Sequence, residues 1–448
     1  MREEIERLSE AVAHFTDLWE SESRVNIAPV DSMRTRAVAE MAKTPQAMRA
    51  SRTAETPRLL DRTAWRDAAL FWLGQRLAVG ALLFLGLRMF GSTASGWRLT
   101  DILASWDGDI YRNIASGGYS ELWQAAFFPL YPLLEHVVAL MTGGDTALAG
   151  VIIANAASLG AFGLLRVLVE RELGRPIARR TLLYLVIFPV SFFLVAAYTE
   201  SLFLLLSVAA FLALRRERWM VAGLCIALAT LTRPVGVLLE LALLAQYVEA
   251  RRAGLACVLG KMTSGTFGSV VLGLWQEGRA LLVPAVMPVA AVAGFCLYLS
   301  PRFHTLLAPS VAERVGWERY LSWPWDGLAQ VGGSLLHDTL PDGLHAALDI
   351  GFTLLFLVLA VLTLRRLPWC YALVGCASVA LVLLTPMHKV DFGELDSSVR
   401  YMLVVFPLFM LLARWGEEHR WVHRLVFSCS LLLLVLLIFK FASGAFVA

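Results

Sequence analysis

Apolar residues in this chain fall in long runs rather than in alternation. Eleven such runs, separated by short polar stretches, predict eleven membrane-spanning helices. They lie at about 68–90, 147–165, 181–198, 201–214, 219–231, 234–248, 280–299, 343–364, 369–384, 401–413 and 425–441. None has the period-two alternation that a membrane barrel requires. A further run at 127–141 is shorter and carries Pro129, Pro132, Glu135 and His136. That length and content suit a re-entrant or interfacial segment better than a span. The fold class is therefore an all-α polytopic membrane protein with a juxtamembrane helix in its first outer loop.

The distribution of charge orients these helices; the net charge of +3 does not. Arginines from Arg2 to Arg66 precede the first run and place the N-terminus in the cytoplasm. If 127–141 does not cross, the cluster Arg166, Arg171, Arg175, Arg179 and Arg180 is also cytoplasmic. Arg215, Arg216 and Arg218, then Arg251 and Arg252, Arg365 and Arg366, and Arg414, Arg420 and Arg424 follow the same side. The C-terminus then lies outside. Short loops point to a bacterial plasma membrane.

Two domains are expected: a polar extension over residues 1–65, and the membrane domain over 66–448. Ile5, Leu8, Val12, Phe15 and Trp19 share one helical face in the extension. No short apolar run follows the start, so no cleavable signal peptide is expected. Residues 253–278 are glycine-rich and expected along the inner interface. An outer loop over 300–342 carries Trp317, Tyr320, Trp323 and Trp325, residues suited to the membrane–water interface.

Composition agrees with the pattern: 58% of residues are hydrophobic and 17% charged, against about 25% charged in soluble domains. The basic residues sit in short loops, so nucleic acid is not an expected partner. The six cysteines show no metal-ligand spacing.

Against this background one polar stretch, residues 106–119, stands out. It holds Asp107 and Asp109 beside Trp106 and Tyr111. Carboxylates beside a membrane read first as a site; a plain solvated connection is the alternative. The predicted topology brings Glu200, Arg233, His388, Lys389, Arg400 and Tyr401 to the same outer face. Glu200 with Arg233 can also be read as a structural pair at helix ends, and His388 with Lys389 as solvated loop residues. Arg400 stands where a helix begins, which the helix dipole disfavours for a cation. A bound anion such as phosphate would answer it.

Carboxylates and cations on one face fit glycosyl transfer from a lipid-phosphate sugar. A carboxylate takes the proton of the acceptor hydroxyl, and arginine or lysine stabilises the departing phosphate. A transporter or flippase for a lipid-linked sugar would use similar groups. Such proteins favour midplane sites and internal repeats, and no repeat is visible here. A non-catalytic subunit is a third reading.

Several motifs carry a resemblance. These are Trp106-Asp107 with Ile114-Ala115 and Gly118-Tyr119, then Phe127-Phe128-Pro129-Leu130-Tyr131-Pro132. Tyr198-Thr199-Glu200-Ser201, Leu231-Thr232-Arg233-Pro234, and Arg400-Tyr401 with Phe406-Pro407 follow in order. Together, over roughly 68–415, they resemble the PIG-V family of mannosyltransferases, integral-membrane glycosyltransferases of the GT-C class. The resemblance implies a GT-C-like bundle, with Asp107 as the catalytic base. It implies a polyprenyl- or dolichyl-phosphate mannose donor, a lipid or glycan acceptor and a role in glycolipid biosynthesis. Substrate contacts are expected from Asp109, Tyr111, Glu200, Arg233, His388, Lys389, Arg400 and Tyr401. A divalent cation, Mg or Mn, would fall to Asp107 and Asp109.

Overall fold

A computed structural model describes residues 59–90, 98–260, 267–337, 340–388, 398–445 and 447. The amphipathic face predicted around Ile5–Trp19, and Lys389, lie outside the described residues.

Among the described residues, all regular structure is helical. The chain opens with α1 (Arg62–Phe90), α2 (Leu99–Leu103), α3 (Asp107–Gly117) and α4 (Leu130–Ala139). Next come α5 (Thr146–Leu173), α6 (Arg175–Val186), α7 (Glu200–Leu214) and α8 (Trp219–Thr232). Then follow α9 (Glu240–Gly260), α10 (Phe267–Phe303), α11 (Ala308–Trp317) and α12 (Asp326–His337). The last are α13 (Leu340–Arg366), α14 (Trp369–Leu384), α15 (Ser398–Leu403), α16 (Phe406–Glu418) and α17 (Arg420–Ala442).

Among the described residues, five helices are long and apolar enough to cross a membrane: α1, α5 and α17, with the stretches Gly278–Phe303 of α10 and Ala347–Arg366 of α13. Helix α5 is the central one. Its most apolar stretch is 56% buried, against 17% for that of α10. Ala147, Ala149, Gly150, Ala154, Ala157 and Ala161 line its buried side. Small residues there let neighbouring helices approach closely. Helices α7, α8 and α14 are shorter apolar helices. Helix α4 has ten residues, about 15 Å at the helical rise, too short to cross.

The predicted spans meet the structure unevenly. The run at 369–384 is α14 without adjustment. The run at 181–198 is not one helix. Helix α6 ends at Val186, and a 3-10 turn, Ser191–Leu194, follows after Pro189. A proline there offers no N–H and crowds the carbonyl four residues back. The run at 234–248 likewise begins as a 3-10 turn, Pro234–Leu239. The run at 401–413 breaks between α15 and α16 before Pro407. The predicted loop at 300–342 contains α11 and α12.

Arg166 in α5 is fully buried and pairs with Asp67 of α1 (3.3 Å) and Glu170 (2.6 Å). Arg179 of α6 reaches the same Asp67 at 3.5 Å. Part of the arginine cluster used for orientation is thus a helix-to-helix clamp. Buried cations of this kind persist when carboxylates answer them.

Candidate active site

Asp107 does not lie in a loop. It is the first residue of α3, with Asp109 in the same turn. Tyr111, Ile114 and Ala115 are the buried residues that fasten this helix, at spacings of three to four. Gly108, Gly117 and Gly118 hide that period in the sequence. Trp106, just before the helix, has φ 57° and ψ −118°. That strained backbone turns the chain so that α3 begins at Asp107. At Gly108 the backbones come close: a Cβ would lie 3.2 Å from the Ala197 carbonyl oxygen, tighter than an ordinary contact.

That close approach joins α3 to the irregular backbone between α6 and α7. Irregular backbone at membrane depth must be satisfied within the protein. Gln75 donates to the Val186 and Ser191 carbonyls at 3.4 and 3.1 Å. Arg76 donates to the Leu194 carbonyl at 3.0 Å, and Asn155 to that of Val195 at 3.0 Å. The Ala197 N–H donates to the Leu103 carbonyl at 2.9 Å. The Tyr198 hydroxyl donates to the Ser105 carbonyl at 2.8 Å. Polar side chains of α1 and α5 therefore hold the segment that ends at Glu200.

Glu200 is completely buried and Arg400 nearly so. One oxygen of Glu200, Oε1, accepts from Arg233 Nη1 (2.5 Å) and Arg400 Nε (2.5 Å). Arg400 Nη2 donates to Asp107 Oδ2 at 2.6 Å. Arg400 is therefore a fork bridging two carboxylates, flanked by the rings of Phe193 (5.0 Å) and Tyr198 (4.8 Å). Glu200 and Arg233 do pair, as the structural reading held. The helix-dipole reason for a phosphate at Arg400 falls away, because Asp107 and Glu200 already answer its charge.

Arg233 is set in place by the 3-10 turn after α8. Gly236 allows that turn to fold back, since a Cβ would meet the Thr230 nitrogen at 2.5 Å. The Arg233 guanidinium lies 5.0 Å from the centre of the Tyr401 ring, and that of Arg319 lies 5.2 Å from it.

These groups open onto a cavity of about 1010 Å³. Asp107, Tyr111, Arg233, Arg400 and Tyr401 line it, with Glu313, Arg314, Arg319 and Tyr320 of the segment around α11. Trp106, Trp123, Phe127 and Trp317 add aromatic surface. Phe203, Val237, Leu239, Val374, Leu381 and Phe406 add an apolar wall drawn from α7, the 3-10 turn, α14 and α16. Burial, and then the charge of Asp107, raise the Glu313 carboxyl above its ordinary range, against Arg319 and Arg233. Burial likewise raises the phenol of Tyr111.

Among the described residues, three predicted ones do not line this cavity: Glu200, which stands behind Arg233 and Arg400, Asp109 and His388. Asp109 is exposed and pairs with Arg112 at 2.9 Å. Residues two apart on a helix point about 200° apart, so Asp107 and Asp109 do not converge on one cation. Among the described residues, no group of three or more His, Cys, Asp or Glu side chains forms a metal-binding set. His388 does not line the cavity; its ring stacks on Tyr320 at 4.3 Å. Lys389 lies outside the described residues. Reading 300–342 as loop leaves Glu313 and Arg319 unseen in the sequence. A forty-residue stretch without structure is uncommon in a compact domain, and the spacing of Glu313 and Trp317 puts both on one helical face.

Residues 91–250 match the family model described as Mannosyltransferase (PIG-V). No curated protein matches the chain. Among solved structures, the chain is similar to ArnT from Cupriavidus metallidurans bound to undecaprenyl phosphate. Identity is 14%, coverage is 83% of this chain and 76% of that one, and the TM-score is 0.42. It is also similar to the Archaeoglobus fulgidus oligosaccharyltransferase in complex with Zn and sulfate. There identity is 12%, coverage is 82% and 52%, and the TM-score is 0.35. The resemblance read from the motifs is thus borne out over residues 91–250, in a helical protein with several helices long and apolar enough to cross a membrane.

Proposed function

We propose that the cavity binds a polyprenyl-phosphate sugar, with mannose the first choice, and transfers the sugar with inversion to a hydroxyl of a lipid or glycan acceptor. The observation that carries this reading is the Asp107–Arg400–Glu200–Arg233 chain at a cavity that also has an apolar wall. Asp107 is tied through Oδ2 only; among the described residues Oδ1 has no hydrogen-bond donor. An acceptor hydroxyl held there would lose its proton to Asp107 as its oxygen attacks the anomeric carbon. The bond from that carbon to the phosphate oxygen breaks, and the electron pair leaves with the phosphate. The guanidinium groups of Arg233, Arg314, Arg319 and Arg400 line the cavity and are suited to stabilise the departing phosphate. The apolar wall suits a polyprenyl tail.

The expected site is on the outer face, with the N-terminus inside. Cysteines placed at Gly143 and at Arg175 would then label from opposite sides. Labelling from the same side would overturn this orientation. The function is tested by incubating detergent-purified protein with radiolabelled polyprenyl-phosphate sugars and a membrane lipid extract. Transfer by the wild type, absent from Asp107→Asn with donor binding retained, supports the reading. Movement of the lipid across vesicles without cleavage would support the flippase reading instead.

A further inference from the structure

The transfer just proposed leaves one partly buried acid of the cavity unused. Glu313 lies on α11, one turn before Trp317, and both line the cavity. The Trp317 ring meets that of Trp123 at 6.3 Å and that of Phe127 at 5.4 Å. Phe127 in turn meets Tyr111, on the helix that begins with Asp107, at 5.1 Å. Beyond α11 the chain reverses through Glu318, whose φ is 50°, and the Arg319 N–H donates to the Glu313 carbonyl at 3.2 Å. The reversal also carries the Arg319 guanidinium to Tyr401. Glu313 is therefore held between the aromatic patch and the arginines.

Resting on the glycosyltransferase reading, we propose that Glu313 is a sugar-binding residue: it hydrogen-bonds a hydroxyl of the donor's transferred sugar, which rests against Trp317. The chemistry matches on two counts. A carboxyl that keeps its proton both donates and accepts, as a sugar hydroxyl does. Burial and the Asp107 charge favour that neutral form. The ring C–H face of a hexose is apolar and suits an aromatic surface.

The test compares two lipids of equal chain length, polyprenyl phosphate and polyprenyl-phosphate mannose, binding to full-length protein in detergent. Loss of one hydrogen bond corresponds to roughly tenfold in affinity. Glu313→Ala is expected to weaken the mannosyl lipid by about that factor and leave the bare lipid within about twofold. Glu313→Gln, which keeps a donor and an acceptor, is expected to restore most of the loss. Equal weakening of both lipids would mean that Glu313 only supports the fold, and would overturn the proposal. So would a Gln variant as weak as the Ala variant, or an Ala variant that binds the mannosyl lipid normally. Wild-type protein that binds neither lipid and transfers no sugar would overturn the glycosyltransferase reading, and this inference with it.

Discussion

Two stretches of irregular chain bring charge to the cavity, and they are held by different forces. The stretch between α6 and α7 ends at Glu200 and is secured by hydrogen bonds. Gln75, Arg76 and Asn155 take up its carbonyls, and all of residues 187–200 are buried. The stretch around α11 brings Glu313 and Arg319 and is secured by ring contacts. Trp317 meets Trp123 and Phe127, and Tyr320 meets His388. Tyr320 itself is exposed. Directional bonds to buried carbonyls fix the Glu200 side in one arrangement, because each broken bond leaves an unsatisfied group. Ring contacts are less directional, so the α11 side, tied to α14 by the Ser322 N–H to the Leu384 carbonyl, can yield while breaking fewer such bonds. The first region is suited to hold the base and its arginine, and the second to admit substrate.

The largest effect should come from the held region. Asp107→Asn keeps size and removes the proton acceptor. Loss of a general base typically lowers rate by a hundredfold to ten-thousandfold, roughly. Transfer by variants matched for monodispersity measures it. Retained activity would move the base elsewhere.

Next is Glu200→Ala, which strips the shared carboxylate from Arg233 and Arg400. Removing one partner of a buried ionic group typically destabilises by about 3–5 kcal/mol. The expected outcome is a large drop in melting temperature together with lost activity. Arg400→Lys should keep the charge yet lose the fork that spans Glu200 and Asp107. Its melting temperature should fall less than that of Glu200→Ala, and its turnover should still collapse. Normal turnover would show that the bridge is not needed.

The contrast itself is tested by a matched pair, Asn155→Ala and Trp317→Ala. The first strands the Val195 carbonyl, at about 1–3 kcal/mol. The second should leave global melting close to wild type, raise KM several-fold, and speed proteolysis between α10 and α12. If Trp317→Ala lowers the melting temperature as much as Asn155→Ala does, the two regions are not separable.

A smaller effect is expected from pH. Glu135 on α4 is fully buried, its oxygens have no partner among the described residues, and burial pushes its carboxyl up to about 9. The folded state then holds a proton that the unfolded state releases near 4.5. Stability from this group is fully present below about 4.5 and declines as pH rises towards about 9. Glu135→Gln should flatten that decline and melt higher than wild type at pH 8. An unchanged slope would place the titration on another group. The smallest effect is expected from Asp109→Asn, whose exposed pair with Arg112 is worth about 0–1 kcal/mol. Activity should stay close to wild type.

The sequence alone determined the membrane class, the helical character and most helix positions. A bilayer imposes its thickness on every run, so each helix announces itself locally, as 369–384 did. It also singled out Asp107, Glu200, Arg233 and Arg400, because charge is rare in so apolar a chain. Pro189 marked the break after α6, although hydropathy carried the run past it. Only the tertiary structure decided how the charges are shared. Asp107, Glu200, Arg233 and Arg400 come from distant parts of the chain, and no local period records which carboxylate meets which guanidinium. Asp107 and Asp109, adjacent but for one residue, were parted by the turn of α3. Glu313 joined the cavity through packing of Trp317 on Phe127, a contact between segments nearly two hundred residues apart. Hydrophobic runs are read against the membrane, one segment at a time, whereas a binding site is a meeting of segments.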